Sequence, residues 1–224
     1  CIRRGRFHGN RSYWGGAVDA ASGSLTVTDS VFTGNAASFG GAVNCSDYLS
    51  AAILNCTFIS NSAAVFGGAI RNENSEVDIR NCILWDDQAL QAGGELAIVG
   101  VGATHVQFSD VLAGMQGAFV ENGASLVYDE ASNISSDPCF VDPNGMDATA
   151  GTLDDNWRLA ENSPCIDAGY SSNVPAECTV DLDGQNRLID VPAVRNGGLG
   201  PGPVVDMGAD EFAFTADVNM DGVV

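Results

Sequence analysis

The feature that most constrains this chain is that it repeats itself about every 25 residues. Phe7-His8-Gly9-Asn10 returns as Phe32-Thr33-Gly34-Asn35, as Phe58-Ile59-Ser60-Asn61 and, degraded, as Leu84-Trp85-Asp86-Asp87, in steps of 25, 26 and 26 residues. Each motif is followed by a glycine pair: Gly15-Gly16, Gly40-Gly41, Gly67-Gly68 and Gly93-Gly94. Three pairs continue as Ala-Val or Ala-Ile and the fourth as Glu95-Leu96. A period of this length, rich in β-branched residues and without helical spacing, predicts a solenoid of strands.

Alignment on the period separates the faces of each strand. Leu25/Ala51/Val77, Val27/Ile53/Ile79, Ser30/Cys56/Cys82 and Phe32/Phe58/Leu84 form columns of apolar or small residues. Thr26/Ala52/Asp78 and Thr28/Leu54/Arg80 alternate with them and are mostly polar. Alternation of period two puts the first set inward and the second in solvent. Stacking the coils about 4.8 Å apart makes every column a ladder. Asn10, Asn35, Asn61 and Asp87 are then expected as one structural ladder, and Asn55 and Asn81, with Asp29, as another. Asn tolerates left-handed backbone, and its amide can bond the amide one coil away. The glycine pairs supply positive φ or close approach at the remaining corner. The fold class expected is all-β: a right-handed parallel β-helix with a loop-rich C-terminal cap, the hand following the crossover rule.

Composition narrows the partners. Hydrophobic residues make up 45% of the chain, enough for a core. Nine basic residues, all arginine, against 29 acidic ones give a formal charge of −20. Such a chain is unsuited to neutralising phosphates, so nucleic acid is excluded as a partner, and anionic membranes repel it. No stretch approaches the roughly 18 apolar residues of a membrane-spanning helix, so direct membrane insertion is not expected. The chain opens on Cys1, inside a repeat, and reads as a piece of something longer. Its seven cysteines lack C-x-x-C zinc spacing. Cys56 and Cys82 are expected as buried thiols. Cys165 and Cys178 are a disulfide candidate that would close a loop in the cap.

The second half follows another pattern. Asp137-Pro138-Cys139-Phe140-Val141-Asp142-Pro143 leads to Trp157-Arg158-Leu159 and Ser163-Pro164-Cys165-Ile166-Asp167-Ala168-Gly169. Asp181-Leu182-Asp183-Gly184 with Arg187 follows, then Val205-Asp206-Met207-Gly208-Ala209-Asp210-Glu211. This order resembles the C-terminal region of bacterial surface β-helix proteins called choice-of-anchor Q proteins, with Trp157 in place of their usual Tyr and Asp210 in place of an aromatic residue. The upstream repeats look like those of bacterial polymorphic outer-membrane proteins. The resemblance implies export, a β-helix and attachment to a surface or larger assembly; it implies no reaction. The organisation expected is β-helix repeats over 1–132, last coils and cap over 133–212, and a linker with an incomplete calcium loop over 213–224.

That loop is Asp217-Val218-Asn219-Met220-Asp221-Gly222, with oxygen ligands Asp217, Asn219 and Asp221 at positions 1, 3 and 5 of an EF-hand-type run. It resembles the start of a type I dockerin repeat, and calcium is the one cofactor the sequence raises. Asp181 and Asp183, near Asp206, Asp210 and Glu211, are a second candidate metal position. No catalytic residue is assigned. Asp86-Asp87 looks like the carboxylate pair of a glycosidase, but Asp87 occupies the ladder column. Polygalacturonase-type NTD, GHG and RIK motifs do not occur. Arg71 and Arg80 are expected on the surface, and Trp14, Trp85 and Tyr48 share no column. The function expected is a non-catalytic extracellular or cell-surface structural or adhesive protein, a stalk, filament or matrix subunit. Its partners would be further copies of itself or another surface or matrix protein. The alternatives are a secreted polysaccharide-binding or polysaccharide-cleaving β-helix and a dockerin-bearing component of a surface complex.

Overall fold

The computed structural model describes residues 1–194 and 196–213. It is an all-β solenoid of parallel sheets, about five turns of about 26 residues each. The turns build four parallel sheets. The first contains Ile2–Arg3, Ser24–Thr28, Ser50–Leu54, Glu76–Arg80, Ala103–Gln107 and Ser125–Tyr128. The second contains Arg6–His8, Val31–Thr33, Thr57–Ile59, Ile83–Trp85 and Asp110–Val111. The third has Ala36–Phe39, Ser62–Phe66 and Gln88–Ala89, and the fourth Val18–Ala21, Val43–Ser46, Ile70–Glu73, Leu96–Val99 and Ala118–Val120.

Register follows the columns read from the sequence. Val27 pairs with Ile53, Ile53 with Ile79 and Ile79 with Val106, all fully buried. Phe7, Phe32 and Phe58 stack with centroids 4.7 and 4.6 Å apart and nearly parallel rings. The third column has a rule of its own. Ser30 Oγ, Cys56 Sγ, Cys82 Sγ and Ser109 Oγ each donate to the carbonyl two residues earlier, at 2.7, 3.2, 3.2 and 3.0 Å. Serine and cysteine therefore interchange there because each is small and carries a donor that satisfies a carbonyl at the corner.

The glycine pairs divide two tasks. The first member takes left-handed backbone, with φ of 49° at Gly15, 64° at Gly40, 70° at Gly67 and 71° at Gly93. The second is fixed by the coil above: a Cβ on Gly68 would lie 2.2 Å from the Gly94 carbonyl oxygen and 2.4 Å from the Gln88 nitrogen. Backbone has no rotamer by which to retreat. Gly68→Ala is therefore expected to destabilise the protein by about 1–3 kcal/mol. A fall in the urea midpoint with an unchanged denaturant slope would show it; an unchanged midpoint would mean the coils can spread at no cost.

The segment after Ile134, whose bridge to Asp110 marks the last coil, runs back along the outer face of the second sheet as a strap. Met207 and Ile166 pack with Ile83, Ala209 N donates to Thr57 Oγ1 at 2.9 Å, and Leu182 and Trp157 cluster with Val31. Cys178 reaches Thr28 and Glu177 reaches Arg3 in the first coils. The outward residues Val31, Thr57 and Ile83 are buried as a result. A short antiparallel pair, Phe140–Asp142 with Asn156–Leu159, stiffens the strap.

Candidate functional site

The polar chemistry concentrates at the ends of two side-chain ladders. In the first, Asn10 Nδ2 donates to Asn35 Oδ1, Asn35 Nδ2 to Asn61 Oδ1 and Asn61 Nδ2 to Asp87 Oδ1, at 2.9, 2.9 and 2.7 Å. In the second, Asn81 Nδ2 donates to Asn55 Oδ1 at 3.0 Å and Asn55 Nδ2 to Asp29 Oδ1 at 3.2 Å. The two run in opposite directions along the axis. Each ends on an aspartate because the last amide needs an acceptor that has no donor of its own. The backbone differs from expectation at the first ladder. Asn55, Asn81 and Asp29 do take left-handed backbone, but on the first ladder it falls on the preceding Gly9, Gly34, Ser60 and Asp86. That leaves each ladder asparagine free to accept from the neighbouring Asn backbone as well, as Asn61 Oδ1 does from Asn35 N at 3.0 Å.

Each terminal aspartate is buried and matched differently. Asp87 N donates to Glu95 Oε1 at 3.3 Å, and both carboxyls lie inside the protein. Burial pushes Glu95 far above the ordinary carboxylate range, with Asp87 beside it adding to the rise. Burial also raises Asp87, but the Glu95 and Asn61 donors oppose it. Glu95 is therefore the more readily protonated of the two. Asp87 Oδ2 and Glu95 Oε2 are both buried without a hydrogen-bond partner among the described residues. Glu95 stands where the earlier coils have Ala17, Ala42 and Ala69. A lone carboxylate in an alanine column, eight residues beyond the ladder's terminal acid, is the sequence signal that marks it.

Asp29 meets Arg187, which is fully buried. Arg187 Nε lies 3.7 Å from Asp29 Oδ1 and 3.7 Å from Glu211 Oε2. Its Nη2 donates to the carbonyls of Asp206 and Gly208 at 3.1 and 2.6 Å. Burial alone would lower the guanidinium pKa, but Glu211, Asp29, Asp206 and Asp181 together outweigh burial and hold it above its usual value. Burial raises Glu211 and Asp206 in turn. The D-x-D-G, Arg and V-D-M-G-A-x-E pieces of the second-half pattern thus converge on one buried ion cluster. Gly169 closes the pattern, since a Cβ there would lie 2.7 Å from Val205 Cγ1. The strap grips both ends of the second ladder: Tyr170 N donates to Asn81 Oδ1 at 2.8 Å, while Arg187 faces Asp29.

The remaining sequence candidates fall as follows. Asp181 accepts backbone N–H from Asp183 and Gln185 on Oδ1 and from Glu211 on Oδ2. The Asp183 carboxylate lies between Arg6 and Arg158. Among the described residues no three His, Cys, Asp or Glu are grouped to hold a metal ion. Asp217, Asn219 and Asp221 lie outside the described residues. The candidate bridge between Cys165 and Cys178 is not formed; both are free thiols. Cys165 Sγ is on Asp110 and Cys178 Sγ on Thr28, three rungs apart, about 14 Å at the strand spacing and far beyond disulfide reach. Arg71 is not on the surface but 5% exposed. Its guanidinium carbon lies 5.1 Å from the Trp14 ring and 5.0 Å from the Phe39 ring, and Nη1 donates to Asn44 Oδ1 at 2.9 Å.

Those rings begin an aromatic row that no column of the repeat motif reveals. Trp14 stacks on Phe39 at 4.5 Å, Phe39 lies 6.3 Å from Phe66, and Phe119 stacks on Phe66 at 5.1 Å. Its sequence signal is the ladder of Trp14, Phe39 and Phe66 just before the first three glycine pairs. Comparison with known proteins found no matching curated protein and no matching solved structure. Residues 55–73, from Asn55 in the second ladder through Gly67-Gly68 to Glu73 in the fourth sheet, match the family model of the Chlamydia polymorphic membrane protein repeat, so this β-solenoid carries a polymorphic-membrane-protein-like repeat in its central coil.

Proposed function

We propose that this chain is a non-catalytic, exported structural or adhesive rod displayed at a cell surface. The observation that carries the reading is the polymorphic-membrane-protein-type repeat at residues 55–73, seated in a solenoid whose flank is locked by the strap. A solenoid in which each coil binds only its neighbours becomes stiff when a second element ties distant coils together. The strap does this from Asp110 to Arg3. The choice-of-anchor pattern supports attachment of the rod, because its motif residues build the strap's ion cluster. Calcium-linked docking through Asp217, Asn219 and Asp221 belongs to the same proposal as a further means of attachment.

Immunogold labelling of intact producing cells tests the reading. Gold on the outer surface is expected before permeabilisation. Label that appears only after permeabilisation would overturn it.

A further inference from the structure

Where the strap begins, it leaves a cleft of about 310 Å³ against the solenoid. One wall is the edge of the second sheet at Trp85, and the other is the strap's antiparallel pair, which supplies Phe140 and Trp157. Phe140 and Trp157 meet edge to face at 5.4 Å, whereas Trp85 stacks on no other ring among the described residues. All three rings are half-buried. Asp86, Asp137 and Asn144 supply polar groups. Asp86 sits on left-handed backbone, φ 57°, and its Oδ2 accepts from Ser60 Oγ at 3.4 Å. Asp137 Oδ1 accepts from the backbone N of Cys139 at 2.9 Å. Neither carboxylate pairs with a cation among the described residues, and residues 81–157 contain no Lys or Arg. Arg158, beside Trp157, is paired with Asp183 instead. Burial raises Asp110, Asp87 and Glu95, and the Asp137 and Asp86 carboxylates add to those rises. The cleft therefore lies in a negative local field.

We propose that this cleft binds a guanidinium group, carried either by an arginine side chain or by a small guanidinium compound. The proposal goes beyond the surface reading above and does not depend on it. Aromatic faces beside uncompensated carboxylates attract an organic cation and repel an anion. The protein itself shows which cation such a set of groups takes. The Arg71 guanidinium lies 5.1 and 5.0 Å from the Trp14 and Phe39 rings, donates to Asn44 Oδ1 at 2.9 Å and pairs with Glu73 at 2.9 Å. The cleft offers the same kinds of group: indole and phenyl rings, the Asp86 and Asp137 carboxylates and the Asn144 amide. Guanidinium is more weakly hydrated than ammonium and stacks on rings, so arginine gains more here than lysine. A calcium ion would draw nothing from the rings and needs six to eight converging oxygens. A neutral sugar would gain nothing from the negative charge. The volume lies at the low end of the range for ligand pockets, which suits one side chain rather than a polymer.

The test is isothermal titration calorimetry of the full chain with N-acetylarginine amide, with N-acetyllysine amide, N-acetylglutamate and glucose as comparisons. Saturable one-to-one binding of the arginine amide is expected, about fivefold or more tighter than the lysine amide, with none of the glutamate. Asp86→Asn keeps the side-chain shape and the acceptor for Ser60, and asparagine tolerates left-handed backbone. Its melting temperature should therefore not fall, while affinity for the arginine amide drops about tenfold. Asp86→Asn combined with Asp137→Asn should leave no measurable binding. A lysine amide that binds as tightly as the arginine amide would overturn the proposal, as would arginine binding unaltered in Asp86→Asn. General attraction to a chain of charge −20 would explain either result. Glucose binding without arginine binding would overturn it in favour of a neutral sugar, and so would the absence of saturable binding by every probe. The peptide acetyl-GSRSG-amide separates the two sources in a protein that passes these tests. Binding about tenfold tighter than the arginine amide supports an arginine presented by a partner protein, and equal binding supports a free guanidinium compound.

Discussion

Replacing Arg187 by methionine is expected to destabilise the protein by about 3–5 kcal/mol and to release the strap. Methionine fills much the same volume, so the loss is electrostatic rather than a cavity. Without the guanidinium, Asp29, Asp206 and Glu211 face one another in the interior, and the carbonyls of Asp206 and Gly208 lose their donor. Leaving one side of a buried ion cluster unpaired costs far more than the intact cluster contributes. For a chain of this length the melting temperature should fall by about 10 °C. The neutral triple variant Arg187→Met with Asp29→Asn and Glu211→Gln should recover much of the loss, since far less unpaired charge then remains. Calorimetry gives the first result, and hydrogen exchange over residues 178–212 gives the second. An Arg187→Met protein that melts with the parent and protects the strap equally would show that apolar contacts with Ile83 and Val31 alone hold it down.

That cluster shows where the sequence was readable. The period of the aromatic-Asn motif determines coil length, inward columns and ladder membership, because stacking converts a sequence period into a spatial one. Val27, Ile53 and Ile79 needed no further information to be placed inside. The strap was recognisable as a pattern but not as a place. Its residues touch coils as far as 177 positions away, and no local propensity encodes which face receives them. Arg71 departs from its expected place for a related reason. An arginine among polar neighbours reads as solvated, yet Trp14 and Phe39 from other coils close over it.

The protein should be most stable in mildly acidic solution and lose stability as pH rises toward 9. Glu95 carries its proton in the folded state, whereas in the unfolded chain it ionises near 4.5. Above that value the folded state binds more protons than the unfolded one, so stability falls with pH until Glu95 itself ionises. The slope approaches about 1.4 kcal/mol per pH unit for one such group. Asp87 is raised by burial and acts in the same direction, as do Asp110 and Asp210, both pushed up to about 6. Glu95→Gln isolates the part that belongs to the ladder. Its amide can donate to Asp87 Oδ2 and accept from Asp87 N without titrating, so the variant should match the parent near pH 5 and exceed it at pH 8–9. Melting curves of the two proteins from pH 5 to 9 check the sign. Parallel slopes would mean that Glu95 is already ionised in the folded protein, and that the first asparagine ladder ends on two charges rather than on one. A parent curve that is flat across the range would extend the same conclusion to the other buried carboxyls, because only groups that keep their protons on folding can tilt it downward.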